Sequence, residues 1–176
     1  MFPDNTVLIN FALINRMDLL HRLANGKGRW CASVASECRN SAKRPDLAAL
    51  DDAEEIFGEP LYPDQAELQD AQALRSLLAA PGDPRIRHLG EAETVAIAVR
   101  RQLDCIFITD DQAAARLAAN KGISVASTWG LLRMAHRVGW VDADTFWGYV
   151  QTLAGQERGR PPGVHDRPSF DKWLAN

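Results

Sequence analysis

The sequence has no apolar run approaching the ~20 residues that an α-helix needs to cross a bilayer, and its N-terminus lacks the positively charged start of a secretory signal. Only three cysteines occur among 176 residues, and no two of them form a C-x-x-C pair: Cys31, Cys38 and Cys105. An odd number of separated cysteines without a signal peptide is typical of reduced thiols. These absences predict a cytoplasmic protein with free thiols and no membrane contact.

The chain also carries little excess charge, with 23 acidic and 20 basic residues and a formal net charge of −3. This near balance gives no electrostatic argument for wholesale nucleic-acid binding, so any such contact must use a local basic patch. The motifs H-E-x-x-H, G-x-S-x-G and G-x-x-x-x-G-K-[ST] are absent. No histidine has metal-motif spacing, so a surface or structural role is expected for His21, His88, His136 and His165.

What is present is the composition of an ordinary globular domain, 46% apolar and 24% charged, in a chain long enough for a sizeable core. Helical periodicity from Ala92 to Val99 is followed by the apolar run Ile106–Ile108, which is typical of a buried strand. Residues 30–32 and 123–126 are further strand candidates, and residues 7–11 fit either a helix or a strand. Strands that alternate with helices predict an α/β sandwich with a parallel sheet.

Acidic residues recur where predicted helices begin, and the set comprises Asp4, Glu37, Glu91, Glu93, Asp110 and Asp111. Helix capping explains any one of them about as well as function does. In a parallel sheet, however, these helix starts converge at one edge. Carboxylates that converge there without cations raise one another's pKa values, and a hard divalent ion such as Mg²⁺ or Mn²⁺ makes such a cluster tolerable. An ion of this kind can bind a phosphodiester oxygen and activate water.

The order of these motifs resembles that of the PIN-domain nucleases, which include the VapC-type toxins of toxin–antitoxin pairs. Four segments carry the resemblance: DNTVLIN from Asp4, SVASE ending at Glu37, GEAETVAIA from Gly90 and TDD from Thr109. The start with Gly-Glu, and TWGLL at residues 128–132, resemble one subgroup of the family. The resemblance covers roughly residues 1 to 139.

The resemblance implies a three-layer sandwich with a short central parallel sheet of about four to five strands flanked by helices. Residues 1–139 would form the nuclease domain, and residues 140–176 a C-terminal helical extension and tail packed on it. The implied catalytic residues are Asp4, Glu37, Glu93 and Asp111. The implied metal ligands are Asp4, Glu93, Asp110 and Asp111, with supporting contacts from Thr6, Glu91 and Thr109. The spacing to the following Ala-Ile-Ala favours Glu93 over Glu91 as a ligand.

The function implied by the resemblance is an endoribonuclease that depends on Mg²⁺ or Mn²⁺ and cleaves single-stranded RNA, as the toxin of a type II toxin–antitoxin pair. The implied partners are RNA, a small antitoxin protein and a second copy of the chain. The alternatives are an RNA-processing nuclease of the same fold and a catalytically silent module that binds RNA or protein. A phosphatase of the haloacid-dehalogenase type is disfavoured, because its nucleophile motif needs a second Asp where Thr6 stands.

Two basic clusters are candidates for phosphate contacts, although a solvated surface is the commoner role of such residues: Arg16, Arg22, Lys27 and Arg29, and Arg39, Lys43 and Arg44. The first acidic motif departs from the family pattern, since only Met1, Phe2 and Pro3 precede Asp4. We therefore expect a stubby first strand, or a natural chain that begins further upstream.

Overall fold

The structure is a computed structural model that describes residues 1–175. Within these residues, β1 (Phe2–Pro3), β2 (Ile106–Ile108) and β3 (Ser124–Ala126) form one parallel sheet in the order β1-β2-β3. A helix begins within two to four residues of the end of each strand. All three strand-to-helix turns therefore lie at the same edge of the sheet, which is where ligands of open α/β sheets bind.

Helices account for most of the remaining described residues. They are α1 (Asn5–Leu13), α2 (Met17–Ala24), α3 (Ala32–Ala42), a 3-10 helix (Pro45–Asp52), α4 (Ala53–Phe57), α5 (Gln65–Leu78), α6 (Leu89–Arg100), α7 (Gln112–Asn120), α8 (Thr128–Arg137), α9 (Ala143–Gly155) and α10 (Arg167–Ala175). The predicted α/β class is confirmed, and residues 7–11 are helical. In residues 1–175 we find no helix whose length and apolar character would let it cross a membrane.

The sheet is smaller than the predicted four to five strands, because residues 30–32 form no strand of their own. Cys31 makes a single parallel bridge with Leu61, and Ala32 already begins α3. Hydrogen bonds do extend the sheet in this direction, since the Arg29 amide donates to the Met1 carbonyl at 2.9 Å and the Leu61 amide to the Trp30 carbonyl at 2.9 Å. The helix begins too soon for these contacts to grow into a ladder.

The sheet separates two apolar clusters, which gives the molecule three layers. Successive residues of a strand point to opposite faces, so Phe107 packs with Phe2 and the buried faces of α6 and α7, whereas Ile108 packs in the larger cluster on the other side. The larger cluster includes Phe11, Trp30 and residues of α8 and α9. Both faces of this short sheet are thus covered by helices. This packing fixes the position of the turn-bearing edge, which is the edge where the three strand-to-helix turns lie.

The C-terminal part of the described chain packs against the layer that contains α1. Helix α9 lies against α1 and α8, and Phe146 of α9 meets Phe170 of α10 edge to face, with 5.2 Å between ring centroids. Between these helices the chain returns to the start of α1, where Arg158 donates hydrogen bonds to Asn10 and to the Thr6 carbonyl. The predicted domain boundary at residue 139 stays a prediction.

Gly90 allows α6 to approach α3 closely. A Cβ atom at this position would lie 2.9 Å from Val34 Cγ2 and 3.3 Å from Glu37 Oε1. Contacts this short require a neighbour to move, and the branched Val34 side chain has few rotamers to move into. The absence of a side chain at Gly90 therefore brings Glu37 next to the first turn of α6.

We expect Gly90→Ala to lower the free energy of unfolding by about 1–3 kcal/mol, because the added methyl group overpacks the α3–α6 contact. The matched control is Gly148→Ala in α9, where an added Cβ meets nothing within 4 Å. That change should raise stability by about 0.5–1 kcal/mol through helix propensity. Urea unfolding followed by circular dichroism measures both, and equal stabilities of the two variants would contradict the close approach.

Candidate functional site

Two of the three strand-to-helix turns bring acidic residues from distant parts of the chain to one edge of the sheet. Asp4 follows β1, and Asp110 and Asp111 follow β2. Helices α3 and α6 add Glu37 and Glu91 to the same region, since Glu91 lies near enough to Asp4 and Glu37 to raise the pKa of each. The predicted convergence of these acids is therefore what the structure shows.

Asp4 is held rigidly at the start of α1, and its side chain is only 4% exposed. Its Oδ1 accepts a hydrogen bond from the Thr6 amide at 3.0 Å, and its Oδ2 accepts one from the Thr109 hydroxyl at 3.1 Å. The Thr109 hydroxyl also accepts from the Asp111 amide at 3.1 Å, so it links β1 to the turn after β2. Burial, reinforced by the nearby carboxylate of Glu91, raises the pKa of Asp4 to about 7.

Glu37 reaches the same pocket from the middle of α3. Burial raises its pKa to about 7, with further increases from the carboxylates of Glu91, Asp4 and Glu93, in that order. Carboxylates from β1, α3 and α6 thus interact electrostatically although they lie up to about ninety positions apart in sequence. A pocket that raises the pKa values of two acids to neutrality is one in which negative charge is poorly compensated.

The two aspartates after β2 are bound in different ways. Asp110 accepts hydrogen bonds from Asn10 Nδ2 at 2.8 Å, from the Thr128 amide at 2.9 Å and from the Thr128 hydroxyl at 2.5 Å, which engages both of its oxygens. Asp111 caps α7 with Oδ1 alone, through the amides of Ala113 and Ala114. Its Oδ2 lies 3.9 Å from His88 Nδ1. Asp111 therefore keeps one oxygen directed into the pocket.

The two glutamates of α6 point to different places, as expected for residues two positions apart on a helix. Glu93 is 3% exposed, and its two oxygens accept hydrogen bonds from the Ser33 amide at 2.9 Å and the Ser33 hydroxyl at 2.7 Å. Glu91 Oε1 instead lies 3.3 Å from His88 Nδ1. The sequence-based preference for Glu93 as a ligand stays a prediction, but it is Glu91 that has a carboxylate oxygen within 4.8 Å of the ligand atoms of His88 and Asp111.

His88 was expected to be a surface or structural residue, and the structure places it in the acidic pocket. Its side chain is 11% exposed, and its Nδ1 lies between the carboxylates of Glu91 and Asp111. The ligand atoms of these three residues all lie within 4.8 Å of one another. No motif spacing signalled this histidine, and its one sequence cue is that it immediately precedes the helix that carries Glu91.

One cation approaches the pocket without pairing with its acids. Arg158 is half-buried, and its Nε donates to Asn10 Oδ1 at 2.8 Å while Asn10 Nδ2 donates onward to Asp110. Burial lowers the pKa of Arg158, although Asp110 and Asp4 partly offset this. In residues 1–175, Lys and Arg form no ion pair within 4.0 Å with Asp4, Glu37 or Asp110. The negative charge of the pocket is therefore not neutralised by direct contact.

The predicted phosphate-binding clusters have other partners in the structure. Arg16 pairs with Asp18 at 2.8 Å, and Arg39 pairs with Glu54 at 2.9 Å. Arg44 pairs with Asp46, its neighbour but one, at 2.7 Å, and Arg22 stacks over Trp140 at 4.2 Å from the ring centroid. These exposed pairs are the ordinary behaviour of surface charges, so phosphate binding by these clusters stays a prediction.

The donor set fits a hard divalent ion. Carboxylate oxygens are the preferred ligands of Mg²⁺ and Mn²⁺, and Asp4, Glu91 and Asp111 present them on rigid helix starts. The raised pKa values of Asp4 and Glu37 show that added positive charge would stabilise the ionised pocket. The arrangement can therefore bind a cation and, through it, an anionic substrate.

Comparison with known proteins gives one match. Residues 3–154 match a family model described as a PIN domain. Neither the curated proteins nor the solved structures contain a significant match to the chain. The matched range includes all six acids discussed above and ends before Arg158.

The raised pKa of Asp4 predicts how the free energy of unfolding depends on pH when divalent ions are absent. Its pKa rises from 3.8 to about 7 on folding, so between these pH values the folded chain retains a proton that the unfolded chain releases. Stability must therefore fall as pH rises through this window. Asp4→Asn removes the ionisation and keeps an oxygen for the Thr6 amide, so this variant should exceed the wild type by roughly 1–3 kcal/mol at pH 8 and lose that advantage near pH 4.

The measurement is urea unfolding in EDTA at several pH values from 4 to 8. Asp104→Asn is the matched control, because Asp104 is exposed and precedes β2 at the opposite end of the strand. The control should follow the wild-type pH profile. If the stabilities of Asp4→Asn and the wild type changed in parallel with pH, the pKa of Asp4 would not be raised by folding.

Proposed function

Because the chain belongs to the PIN-domain family, whose members are generally nucleases, we propose that it is an endoribonuclease that depends on Mg²⁺ or Mn²⁺ and cleaves single-stranded RNA. The observation that supports this most directly is the acidic pocket at the turn-bearing edge of the sheet. Its carboxylates are fixed in place and lack direct ion pairs with Lys or Arg among the described residues. Such a pocket is stable at neutral pH chiefly with a bound cation.

In this proposal Asp4, Glu91 and Asp111 hold the ion. A divalent ion there supplies Lewis-acid polarisation of the phosphodiester and lowers the pKa of an attacking water. Thr6 and Thr109 fix the orientation of the Asp4 carboxylate through hydrogen bonds to each of its oxygens. The cap that Asp111 forms on α7 fixes its side chain in the same way, which leaves Oδ2 directed towards the pocket.

Glu37 is suited to move a proton in this reaction. Its pKa is raised to about 7 in the metal-free pocket, and a divalent ion nearby would lower it, which would leave Glu37 ionised and able to accept a proton at neutral pH. It lies beside the first turn of α6, where Gly90 lets it approach Glu91. We assign Glu37 the role of taking the proton of the attacking water.

Glu93 and Asp110 have structural roles in this proposal. Glu93 binds the first turn of α3 and so positions the helix that carries Glu37. Asp110 binds the first residue of α8 and the Asn10 amide, which ties α8 to α1. This assignment exchanges Glu91 for Glu93 in the predicted ligand set and makes Asp110 a supporting residue.

One observation favours a second candidate, the catalytically silent module that binds RNA or protein. Both oxygens of Glu93 and both oxygens of Asp110 already accept hydrogen bonds from the protein. If these acids serve only to hold helices in place, the chain would keep the fold but would not cleave RNA. The distinction between the two candidates rests on whether cleavage occurs and depends on the remaining acids.

We further propose the toxin role, in which a small antitoxin inhibits the nuclease by covering the acidic pocket. An acidic edge is a surface that a basic antitoxin segment would complement. A short reading frame beside the gene for this chain, whose product binds it and suppresses cleavage, would support the role. Cleavage with no such neighbour would instead favour an RNA-processing nuclease.

The purified chain should cleave a fluorescent single-stranded RNA with Mn²⁺ or Mg²⁺ and not with EDTA. Asp4→Asn and Asp111→Asn should each lower the rate about 100-fold or more, since each removes a charged metal ligand. Asp104→Asn, an exposed acid outside the pocket, should leave the rate unchanged. Cleavage that persists in EDTA would exclude the proposed mechanism, and RNA binding without cleavage would support the silent module.

A paired experiment should distinguish the roles of the two glutamates of α6. Glu91→Gln should weaken Mn²⁺ binding by about 10–100-fold with little change in stability, because within residues 1–175 the one side-chain hydrogen-bonding contact of Glu91 Oε1 is with the His88 ring. Glu93→Gln should cost about 1–3 kcal/mol of stability, because glutamine keeps only one of the two oxygens that accept from the Ser33 amide and hydroxyl. Isothermal titration calorimetry and urea unfolding measure the two quantities, and the reverse pattern would restore Glu93 as the ligand.

A further inference from the structure

His88 occupies the position before α6 at which a side chain usually caps the helix, but its ring forms no such cap. The imidazole instead turns towards the pocket, where Nδ1 lies 3.3 Å from Glu91 Oε1 and 3.9 Å from Asp111 Oδ2. Within residues 1–175 the ring's one hydrogen-bonding contact is with Glu91. The ring is therefore directed at two carboxylates rather than at the backbone of its own helix.

The backbone of His88 is in the left-handed region, with φ +62° and ψ +14°. Glycine and asparagine adopt this conformation more readily than other residues. Histidine is also among the non-glycine residues enriched in this region. The backbone therefore accommodates His88, and the imidazole contacts the pocket.

The distances suit three ligands of one ion better than they suit a hydrogen bond. Two atoms that each lie about 2.1 Å from a common ion are at most about 4.2 Å apart. The 3.3 Å and 3.9 Å separations from His88 Nδ1 both fall within that limit. A nitrogen–oxygen hydrogen bond has its usual length near 2.9 Å, so both separations are long for one. The nitrogen and the two carboxylate oxygens all lie within 4.8 Å of one another, so a small adjustment of the side chains would let all three bind one ion.

We propose that His88 Nδ1 is a ligand of the divalent ion, beside Glu91 and Asp111, and that it gives the site a preference for Mn²⁺ over Mg²⁺. Mg²⁺ binds mainly oxygen ligands and loses its waters reluctantly, whereas imidazole nitrogen suits transition ions. Replacing one oxygen ligand by nitrogen therefore favours Mn²⁺. The inference rests on the proposed function only in placing a divalent ion in this pocket.

Electron paramagnetic resonance of the full chain with Mn²⁺ alone, without RNA, tests the inference directly. Pulsed spectra should show coupling of the manganese electrons to a histidine nitrogen, and labelling the histidines with ¹⁵N should shift that coupling. His88→Asn should abolish it, whereas His165→Asn, at an exposed histidine outside the pocket, should preserve it. The labelling experiment uses the wild-type chain, so it does not depend on how any variant folds.

Isothermal titration calorimetry measures the affinities of the same variants for Mn²⁺ and Mg²⁺. His88→Asn should weaken Mn²⁺ binding at least about tenfold and change Mg²⁺ binding less than about threefold, while His165→Asn should change neither. Unfolding in EDTA should show that His88→Asn is as stable as the wild type, since asparagine tolerates the left-handed backbone.

The results distinguish this inference from the proposed function. Mn²⁺ that binds the wild type without histidine coupling, or binds His88→Asn equally well, would overturn the inference and leave the nuclease proposal standing. Failure of the wild type to bind either ion would overturn both. Equal losses of Mn²⁺ and Mg²⁺ affinity in His88→Asn would overturn the claimed ion preference.

Discussion

Carboxylates that repel one another are kept together in this fold because the backbone supplies compensating partial charge. Asp4, Asp110, Asp111 and Glu93 each accept a hydrogen bond from an amide in the first turn of a helix, namely α1, α8, α7 and α3. The first turn of a helix carries partial positive charge from its unpaired amides. Four such turns converge on one pocket, so the parallel sheet positions both the acids and the dipoles that hold them.

This arrangement means that capping and function are not competing explanations. Asp111 caps α7 with one oxygen and presents the other to the pocket. A cap fixes the side chain in one rotamer, which is also what a binding or catalytic group requires. In the proposed function, Glu93 and Asp110 use their hydrogen bonds to position neighbouring helices. Asp111 keeps one oxygen directed into the pocket, and Asp4 is oriented there by hydrogen bonds to both of its oxygens.

The sequence was sufficient for features that depend on local patterns. Caps and periodicity predicted the succession of α6, β2 and α7, because each signal lies within a few residues of the element it sets. The features that it did not predict depend on distant partners. Ser33 donates a hydrogen bond to Glu93, which is 60 positions away, and residues 30–32 form only a single bridge, between Cys31 and Leu61, because α3 begins at Ala32. The direction in which Glu91 and His88 point depends on how α6 packs, which no local pattern encodes.

Asn10 connects this pocket to the far end of the chain. Its amide can face only one way, because its oxygen meets a guanidinium that only donates and its nitrogen meets a carboxylate that only accepts. Asn10 and Arg158 are separated by 148 positions in sequence. During synthesis on the ribosome, Asn10 emerges early, but its contact with Arg158 forms only after Arg158 has left the exit tunnel. The nascent polypeptide therefore completes the hydrogen bonds around Asn10 late, after most of its helices have been made.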